Sequence, residues 1–136
     1  MPFSQELQVT ESPESGAVFR KAWEEVFAGH LSKKEKEQIF LDQFLWHACS
    51  WGVTACATGE EAVALFMQQD KDRCIIFYQF IDKAYSVGNA KNLALTDLPY
   101  DSFNMDRNDL YVMDEKQKWT FVMTHEEQCG PYFIAL

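Results

Sequence analysis

Basic residues are scarce in this chain. Its 12 Lys and Arg residues stand against 21 Asp and Glu residues, so the formal net charge is −9 at pH 7. A polyanion such as DNA, or an anionic membrane surface, would be repelled at long range by this charge. The composition therefore disfavours nucleic-acid and membrane binding, and it favours a basic partner or a simple role of the charge in solubility.

Long apolar runs are also missing. No stretch reaches the ~18 consecutive apolar residues of a membrane-spanning helix. The first 16 residues, MPFSQELQVTESPESG, have neither the basic region nor the apolar core of a secretory signal. We therefore expect a cytoplasmic protein without a membrane segment.

Paired cysteine motifs are absent as well. The four cysteines, Cys49, Cys56, Cys74 and Cys129, form no CxxC pair. In a reducing compartment such cysteines are expected to be free and to act as small apolar side chains. This interpretation follows from the cytoplasmic expectation and depends on it.

Apolar and aromatic residues are plentiful. Hydrophobic residues make up 47% of the 136 residues and aromatic residues 15%. A chain of this size and composition is expected to fold as one domain around one core. Residues 1–14 are polar and read as a partly ordered arm with an edge strand near 7–9, so the predicted domain spans 15–136.

Two amphipathic segments open the predicted domain. Residues 16–27 repeat apolar side chains at helical spacing, with Trp23 in the middle of the stripe. Ser32 and Glu35 have the S-x-x-E spacing of a capping box, which predicts a second helix through SKKEKEQIFLDQFLWHACSWG. The part after residue 38 is apolar around most of its circumference, so we expect it to be central and buried.

The second half of the chain favours strands. A short third helix is predicted after Thr58, because Thr58 and Glu61 have capping-box spacing. CIIFYQF at 74–80 predicts a strand covered on both faces, and 81–86 is a candidate short helix. The segments 109–114 and 119–125 flank a polar tetrapeptide and predict a hairpin, followed by a last strand, YFIAL. The predicted fold is α+β, with N-terminal helices packed on a mostly antiparallel sheet of about four strands.

The stretch WTFVMTHEEQCGPYF at 119–133 is the richest in chemical groups. Alternation places His125 at the end of a strand on the same face as Trp119, with Glu126 and Glu127 following where the strand ends. A strand end with a hydrogen-bonded histidine and two solvated carboxylates is one interpretation. A thiol beside an imidazole, Cys129 near His125, is another, but no protease or transferase signature accompanies it.

A zinc site could in principle combine imidazole and thiolate ligands from His47, Cys49, His125 and Cys129. The spacing argues against this, because His47 and Cys49 would project about 200° apart around a helix of 3.6 residues per turn. The chain also lacks HExxH and the phosphate-binding motifs GxGxxG and GxxxxGK[ST]. We therefore predict neither a metal nor a cofactor, and we name no catalytic residue.

The motifs FLWHACS at 44–50, DLYVMD at 109–114 and KWTFVMTHEEQCGPYF at 118–133 together resemble a bacterial family known as a domain of unknown function, DUF4275. The W-x-x-x-F pair formed by Trp23 and Phe27 belongs to the same resemblance, which covers the chain from about residue 18. The family name carries no activity. Some members lie near polymorphic-toxin genes, and this association implies an immunity role for the family.

Two functions from different classes remain open. The first is a non-catalytic protein-binding module, of the immunity type, that meets a basic protein partner with an acidic and aromatic surface. The residues predicted to bind are Trp46, His47, His125, Glu126, Glu127 and Tyr132. The alternative is an enzyme or small-ligand protein whose pocket lies between His47 and His125, since a histidine pair can transfer protons near neutral pH.

Overall fold

The computed structural model describes residues 7–100, 109–125 and 130–136. Its helices are α1 (Gly16–Phe27), α2 (Lys33–Gln38), α3 (His47–Ser50) and α4 (Gly59–Gln68). Its strands are β1 (Gln8–Glu11), β2 (Ala57–Thr58), β3 (Cys74–Tyr78), β4 (Ala84–Gly88), β5 (Leu110–Asp114), β6 (Trp119–Met123) and β7 (Tyr132–Ala135). Two 3-10 turns, Ala90–Asn92 and Leu95–Asp97, follow β4.

All seven strands form one sheet in the order β1-β4-β3-β5-β6-β7-β2, and every neighbouring pair is antiparallel. The α+β class and the antiparallel sheet are thus confirmed, whereas the expected number of about four strands is too low. The strand predicted at 74–80 is β3, which lies inside the sheet between β4 and β5. The edge strand expected near residues 7–9 is confirmed as β1.

Both faces of the sheet are covered. On one face, α1, α3 and the connection between α2 and α3 pack against side chains that include Phe77, Tyr111 and Val122. On the other face, α4 and the two 3-10 turns pack against residues that alternate with these, such as Ile76, Val112 and Phe121. This two-sided burial explains why the central strands are almost continuously apolar.

The predicted second helix is interrupted. Its capping box forms as expected, with Ser32 and Glu35 each accepting from the other's backbone N–H. However, α2 ends at Gln38, and Phe40 takes a left-handed backbone conformation with φ of 56°. The expectation that everything after residue 38 is buried is therefore wrong for Phe40 and Trp51, which are 49% and 54% exposed.

Two further expectations are corrected by strand pairing and by the path of the chain after α3. The candidate short helix at 81–86 is instead β4, whose register with both β1 and β3 satisfies its backbone groups. The cysteines are not all free, because Cys49 and Cys56 form a disulfide. The left-handed Gly52 and the bond from Thr54 N to Ala48 O turn the chain back after α3, which brings the two Cα atoms to 5.7 Å.

None of the helices in the described ranges has both the length and the apolar character that are needed to cross a membrane.

Candidate functional site

Four of the six predicted binding residues lie at the ends of elements on the α1 side of the sheet. Trp46 and His47 begin α3, His125 follows β6, and Tyr132 begins β7. Pairing of β7 with β6 places Tyr132 opposite Val122, close to the end of β6 from which His125 leaves. The remaining two, Glu126 and Glu127, lie outside the described residues, as does Cys129.

These four residues and Phe44 form a group of rings that we call the aromatic cluster, in which Trp46 contacts all the others: Phe44, Trp46, His47, His125 and Tyr132. The centroid of the Phe44 ring lies 5.2 Å from each of the two imidazoles. Trp46 lies 4.8 Å from His47, 5.9 Å from His125 and 6.4 Å from Tyr132. Phe44 is a member of this cluster that the sequence analysis did not name.

His125 lies on the opposite side of the sheet from the one that alternation predicted. Trp119 and Phe121 contact Phe66 of α4, whereas His125 contacts Phe44 and Trp46 in the α1 layer. The strand β6 ends at Met123, so the two-residue period no longer applies at position 125.

Each imidazole has a fixed hydrogen bond at Nδ1. His47 Nδ1 lies 2.6 Å from Ile39 O, and a carbonyl only accepts, so this nitrogen carries the proton. His125 Nδ1 lies 2.9 Å from Asp109 Oδ1, and the backbone N of His125 donates to the same oxygen at 2.8 Å. The side chain of Asp109 is fully buried.

Two buried polar atoms beside His125 have no hydrogen-bond partner in the part of the chain that the structure describes. They are Nε1 of Trp46, a donor, and Oδ2 of Asp109, an acceptor. Both belong to residues that contact His125. Buried polar groups are nearly always paired, so this pair of atoms marks a locally unsatisfied region.

A second polar arrangement joins the connection between α2 and α3 to the sheet. Gln79 Oε1 accepts from Leu45 N at 3.0 Å and from the hydroxyl of Tyr111. Burial raises the pKa of Tyr111 well above its ordinary value, and the charge of Asp109 raises it further, so the hydroxyl stays a neutral donor. Sequence reasoning missed Gln79, Asp109 and Tyr111, because each is a single polar side chain within or directly beside an apolar strand.

Two exposed rings form what we call the aromatic patch: Phe40 and Trp51. Their centroids are 6.2 Å apart in an edge-to-face arrangement. His47 connects the two, because its side chain holds the carbonyl of Ile39, next to Phe40, and its own carbonyl accepts from Trp51 N at 3.0 Å. The predicted residue His47 is thus placed to position the patch.

Three cavities of about 540, 440 and 410 Å³ open on the described surface. The largest lies between α1 and residues 41–45, and the second lies between α1, α2 and Phe40. The smallest lies beside β2. Neither His47 nor His125 lines any of these three cavities.

The described ranges contain no ready-made metal-binding cluster. No group of three or more His, Cys, Asp or Glu side chains there could hold a metal ion. Of the four candidate zinc ligands, Cys49 is bonded to Cys56 and so offers no thiolate. Cys129 lies outside the described residues.

The thiol of Cys74 is expected to be inert. Burial raises its pKa from 9.0 to about 12, so at pH 8 its thiolate fraction is about a thousandfold lower in the folded protein than in the unfolded chain. Iodoacetamide with peptide mass mapping should leave Cys74 unlabelled at pH 8 until a denaturant is added. Because its pKa is raised on folding, the stability that it contributes is complete below about pH 9 and declines above it. Rapid labelling of native Cys74 at pH 8 would contradict this prediction.

Comparison with known families identifies the class of protein to which this chain belongs. The model of the family described as Domain of unknown function (DUF4275) matches residues 3–133, so the chain belongs to this family. The resemblance seen in the sequence motifs is thereby confirmed. No curated protein and no solved structure matches the chain.

Proposed function

We propose that this chain is a non-catalytic protein-binding module of the immunity type, and that it meets a basic protein partner with the aromatic patch. The proposal rests on the patch itself, because Phe40 and Trp51 each expose about half of their surface and contact each other. Aromatic residues are enriched at the energetically important centres of protein interfaces. Two such rings in contact on a surface favour recognition of another protein.

The backbone at Phe40 explains how its ring reaches the surface. Phe40 N donates to Glu37 O at 3.2 Å and Leu41 N donates to Lys36 O at 3.0 Å, the pair of hydrogen bonds that closes a helix C-terminus with a left-handed residue. The left-handed conformation of Phe40, with φ of 56°, therefore ends α2 and leaves the ring half exposed.

The charge around the patch favours a basic partner. Glu37 and Asp42 lie with Phe40 around the 440 Å³ cavity, and neither has a basic partner among the residues of the described ranges. Lys36, which also lines that cavity, is paired with Glu24 at 3.1 Å, so Lys33 is the remaining cation there. The local charge around the cavity is therefore negative, as is the net charge of −9 of the whole chain. Both would accelerate the encounter with a basic protein.

The aromatic cluster supports the patch from beneath. Trp46 is buried, and His47 and His125 are each held by a hydrogen bond and by ring contacts. These residues therefore fix the connection that carries Phe40 and the end of α3 that carries Trp51. In this proposal Trp46, His47, His125 and Tyr132 act by positioning the surface, and Phe40 and Trp51 contact the partner.

The alternative function, a catalytic or small-ligand pocket between His47 and His125, has less support. Phe44 and Trp46 contact both imidazoles, and neither imidazole lines any of the three cavities described above. The unpartnered Oδ2 of Asp109 beside His125 is the observation that favours it.

The proposal is tested by quantitative affinity enrichment from a lysate of the source cells at low salt. We expect the unmodified chain to retain a basic protein that the double variant Phe40→Ala, Trp51→Ala loses by at least about tenfold, since each buried interface aromatic often contributes more than 1 kcal/mol. Retention should fall as salt is raised, because the encounter is electrostatically assisted.

The matched control is Val18→Ala, Met67→Ala, which removes two apolar side chains that are each 47% exposed and lie on α1 and α4. This control should retain the partner as well as the unmodified chain does. The proposal would be refuted if the unmodified chain retained no basic protein more strongly than the Phe40→Ala, Trp51→Ala variant does. The immunity type is tested separately, by whether co-expression of the chain relieves the toxicity of the captured protein.

A further inference from the structure

The largest of the three cavities described above has the dimensions of a small-molecule site. Its volume of about 540 Å³ falls within the range of roughly 300–1,000 Å³ that is typical of ligand pockets. It is bounded by α1, by residues 41–45 and by Gln79 and Phe80 at the end of β3. Four of its lining side chains are apolar: Leu41, Phe44, Leu45 and Phe80.

One buried polar group lies in the wall of this cavity with its donor unused. Gln79 is only 8% exposed, and its Oε1 is fixed by two donors, Leu45 N and the hydroxyl of Tyr111. These two donors set the orientation of the amide, so Nε2 carries the two remaining N–H groups. Within the described ranges Nε2 donates to no residue.

Two rings form an apolar corner in the same cavity. Phe44 and Phe80 meet nearly at right angles, with centroids 5.5 Å apart and an interplanar angle of 82°. Phe80 is 51% exposed and lies at the rim, whereas Phe44 is held within the aromatic cluster. A third ring placed in this corner would contact one Phe by its face and the other by its edge, an arrangement that aromatic rings favour.

The charged groups at the rim do not select a ligand of one sign. Arg20 donates to Tyr78 O, Ile81 O and Asp82, and Glu24 is paired with Lys36 at 3.1 Å. Lys21 and Asp42 carry opposite charges, and within the described ranges neither has an ion-pair partner. The balance favours an uncharged ligand.

We propose that this cavity binds a small uncharged molecule in which an aromatic ring carries a carbonyl group. The carbonyl oxygen accepts a hydrogen bond from Gln79 Nε2, and the ring packs in the corner between Phe44 and Phe80. This site is distinct from the aromatic patch, since neither Phe40 nor Trp51 lines the cavity. It therefore does not depend on the proposed function.

The probe for this site is benzamide, the simplest ring that carries a carboxamide. We expect a dissociation constant of roughly 1–10 mM for a ligand of this size. The readout is the side-chain amide resonance of Gln79 in a proton–nitrogen NMR spectrum during a benzamide titration, together with nuclear Overhauser contacts to Phe44 and Phe80. Toluene, which keeps the ring and lacks the carbonyl, should bind without shifting the Gln79 amide by hydrogen bonding.

Two variants test the two contacts separately. Gln79→Glu keeps an acceptor for Leu45 and Tyr111 and removes the donor, so affinity for benzamide should fall at least about fivefold. Phe80→Ala changes a half-exposed ring and should fold normally while it weakens binding by a similar factor, which keeps the test valid if the Gln79 variant is unstable. Trp51→Ala should bind benzamide as the unmodified chain does.

A saturable shift of the Gln79 amide that is weakened in the folded variants supports the site. The absence of a saturable shift in the unmodified chain, or undiminished binding by both folded variants, overturns it. Because the protein-binding test uses Phe40 and Trp51 and this test uses Gln79 and Phe80, the failure of one proposal is distinguishable from the failure of the other.

Discussion

Replacing Trp23 with alanine is expected to lower the free energy of unfolding by about 4–5 kcal/mol, at the upper end of what truncation of a buried aromatic side chain costs. The side chain is fully buried in the α1 face of the core. Its ring lies 5.3 Å from that of Phe27 and 5.6 Å from that of Tyr111. Removal of the indole leaves a cavity between α1 and the sheet that these neighbours cannot fill without strain.

A hydrogen bond adds to the cost of that substitution. Trp23 Nε1 donates to Thr120 Oγ1 at 3.0 Å, and Thr120 in turn donates to Val112 O at 2.8 Å. The indole thereby connects α1 to two neighbouring strands, β5 and β6. Without it, the Thr120 hydroxyl loses its donor in a site that water does not reach.

Chemical denaturation measures this prediction, with thermal unfolding as a second readout. Trp23→Phe keeps a ring and loses the hydrogen bond, so we expect a cost of about 1–2 kcal/mol and a folded protein in which the effect can be measured. Val18→Ala, on the exposed part of the same helix, should change stability by less than about 0.5 kcal/mol. A loss below about 2 kcal/mol for Trp23→Ala would show that the site collapses more readily than its packing indicates.

Local patterns were sufficient for the elements whose burial is regular. The helix predicted at 16–27 is α1 with the same bounds, and the hairpin predicted at 109–125 is formed by β5 and β6. In these segments the hydrophobic period coincides with the face that each element buries. Sequence and tertiary environment favour the same structure there.

The connection after α2 could not be read from local patterns. The sequence continues with helical spacing, but Leu45 N is held by Gln79, which is 34 residues away, and Phe40 is left-handed. Such a long-range bond overrides local helix propensity, which amounts to only a few tenths of a kcal/mol per residue. The strand β4 was missed for the same reason, because its pairing with β1 and β3 decides its conformation.

The candidate site was predictable in part. The residues Trp46, His47, His125 and Tyr132 were named from motif composition, and the fold brings them together. The sequence did not indicate Asp109, Gln79 or Phe44, since the contacts of these residues are made across the sheet and the connection. The binding role of the predicted residues remains a prediction, which the enrichment experiment tests.

Reduction of the Cys49–Cys56 disulfide is expected to lower the free energy of unfolding by about 2.5 kcal/mol. The bond spans seven positions, and closing a loop of about eight residues in the unfolded chain removes conformational entropy of that magnitude. Cys49 is buried in α3 and Cys56 lies just before β2, so the bond joins the helix that carries His47 of the aromatic cluster to the edge strand. The enclosed loop carries Trp51 of the aromatic patch.

Denaturant titration with and without dithiothreitol measures this effect, and an intact mass two hydrogens higher after reduction confirms that the bond has opened. The double variant Cys49→Ala, Cys56→Ala is the control: it should match the reduced protein in stability, and dithiothreitol should not change it. A difference below about 1 kcal/mol between the oxidised and reduced forms would mean that other contacts already constrain the loop.

The other contacts of this loop predict which part of the protein changes when the disulfide opens. Thr54 N donates to Ala48 O at 3.0 Å, and the Thr54 hydroxyl donates to Phe27 O at 3.3 Å, so the base of the loop stays attached to α1 and α3 when the bond opens. Trp51 is anchored mainly by its own backbone bond to His47 O. Reduction should therefore lower global stability while the fluorescence of the buried Trp23, Trp46 and Trp119 is retained, and the larger change should be in the ordering of Trp51. The same reduction experiment on the Trp51→Phe variant isolates that change. The variant has no indole in the loop, so the difference between its fluorescence change and that of the unmodified chain comes from Trp51.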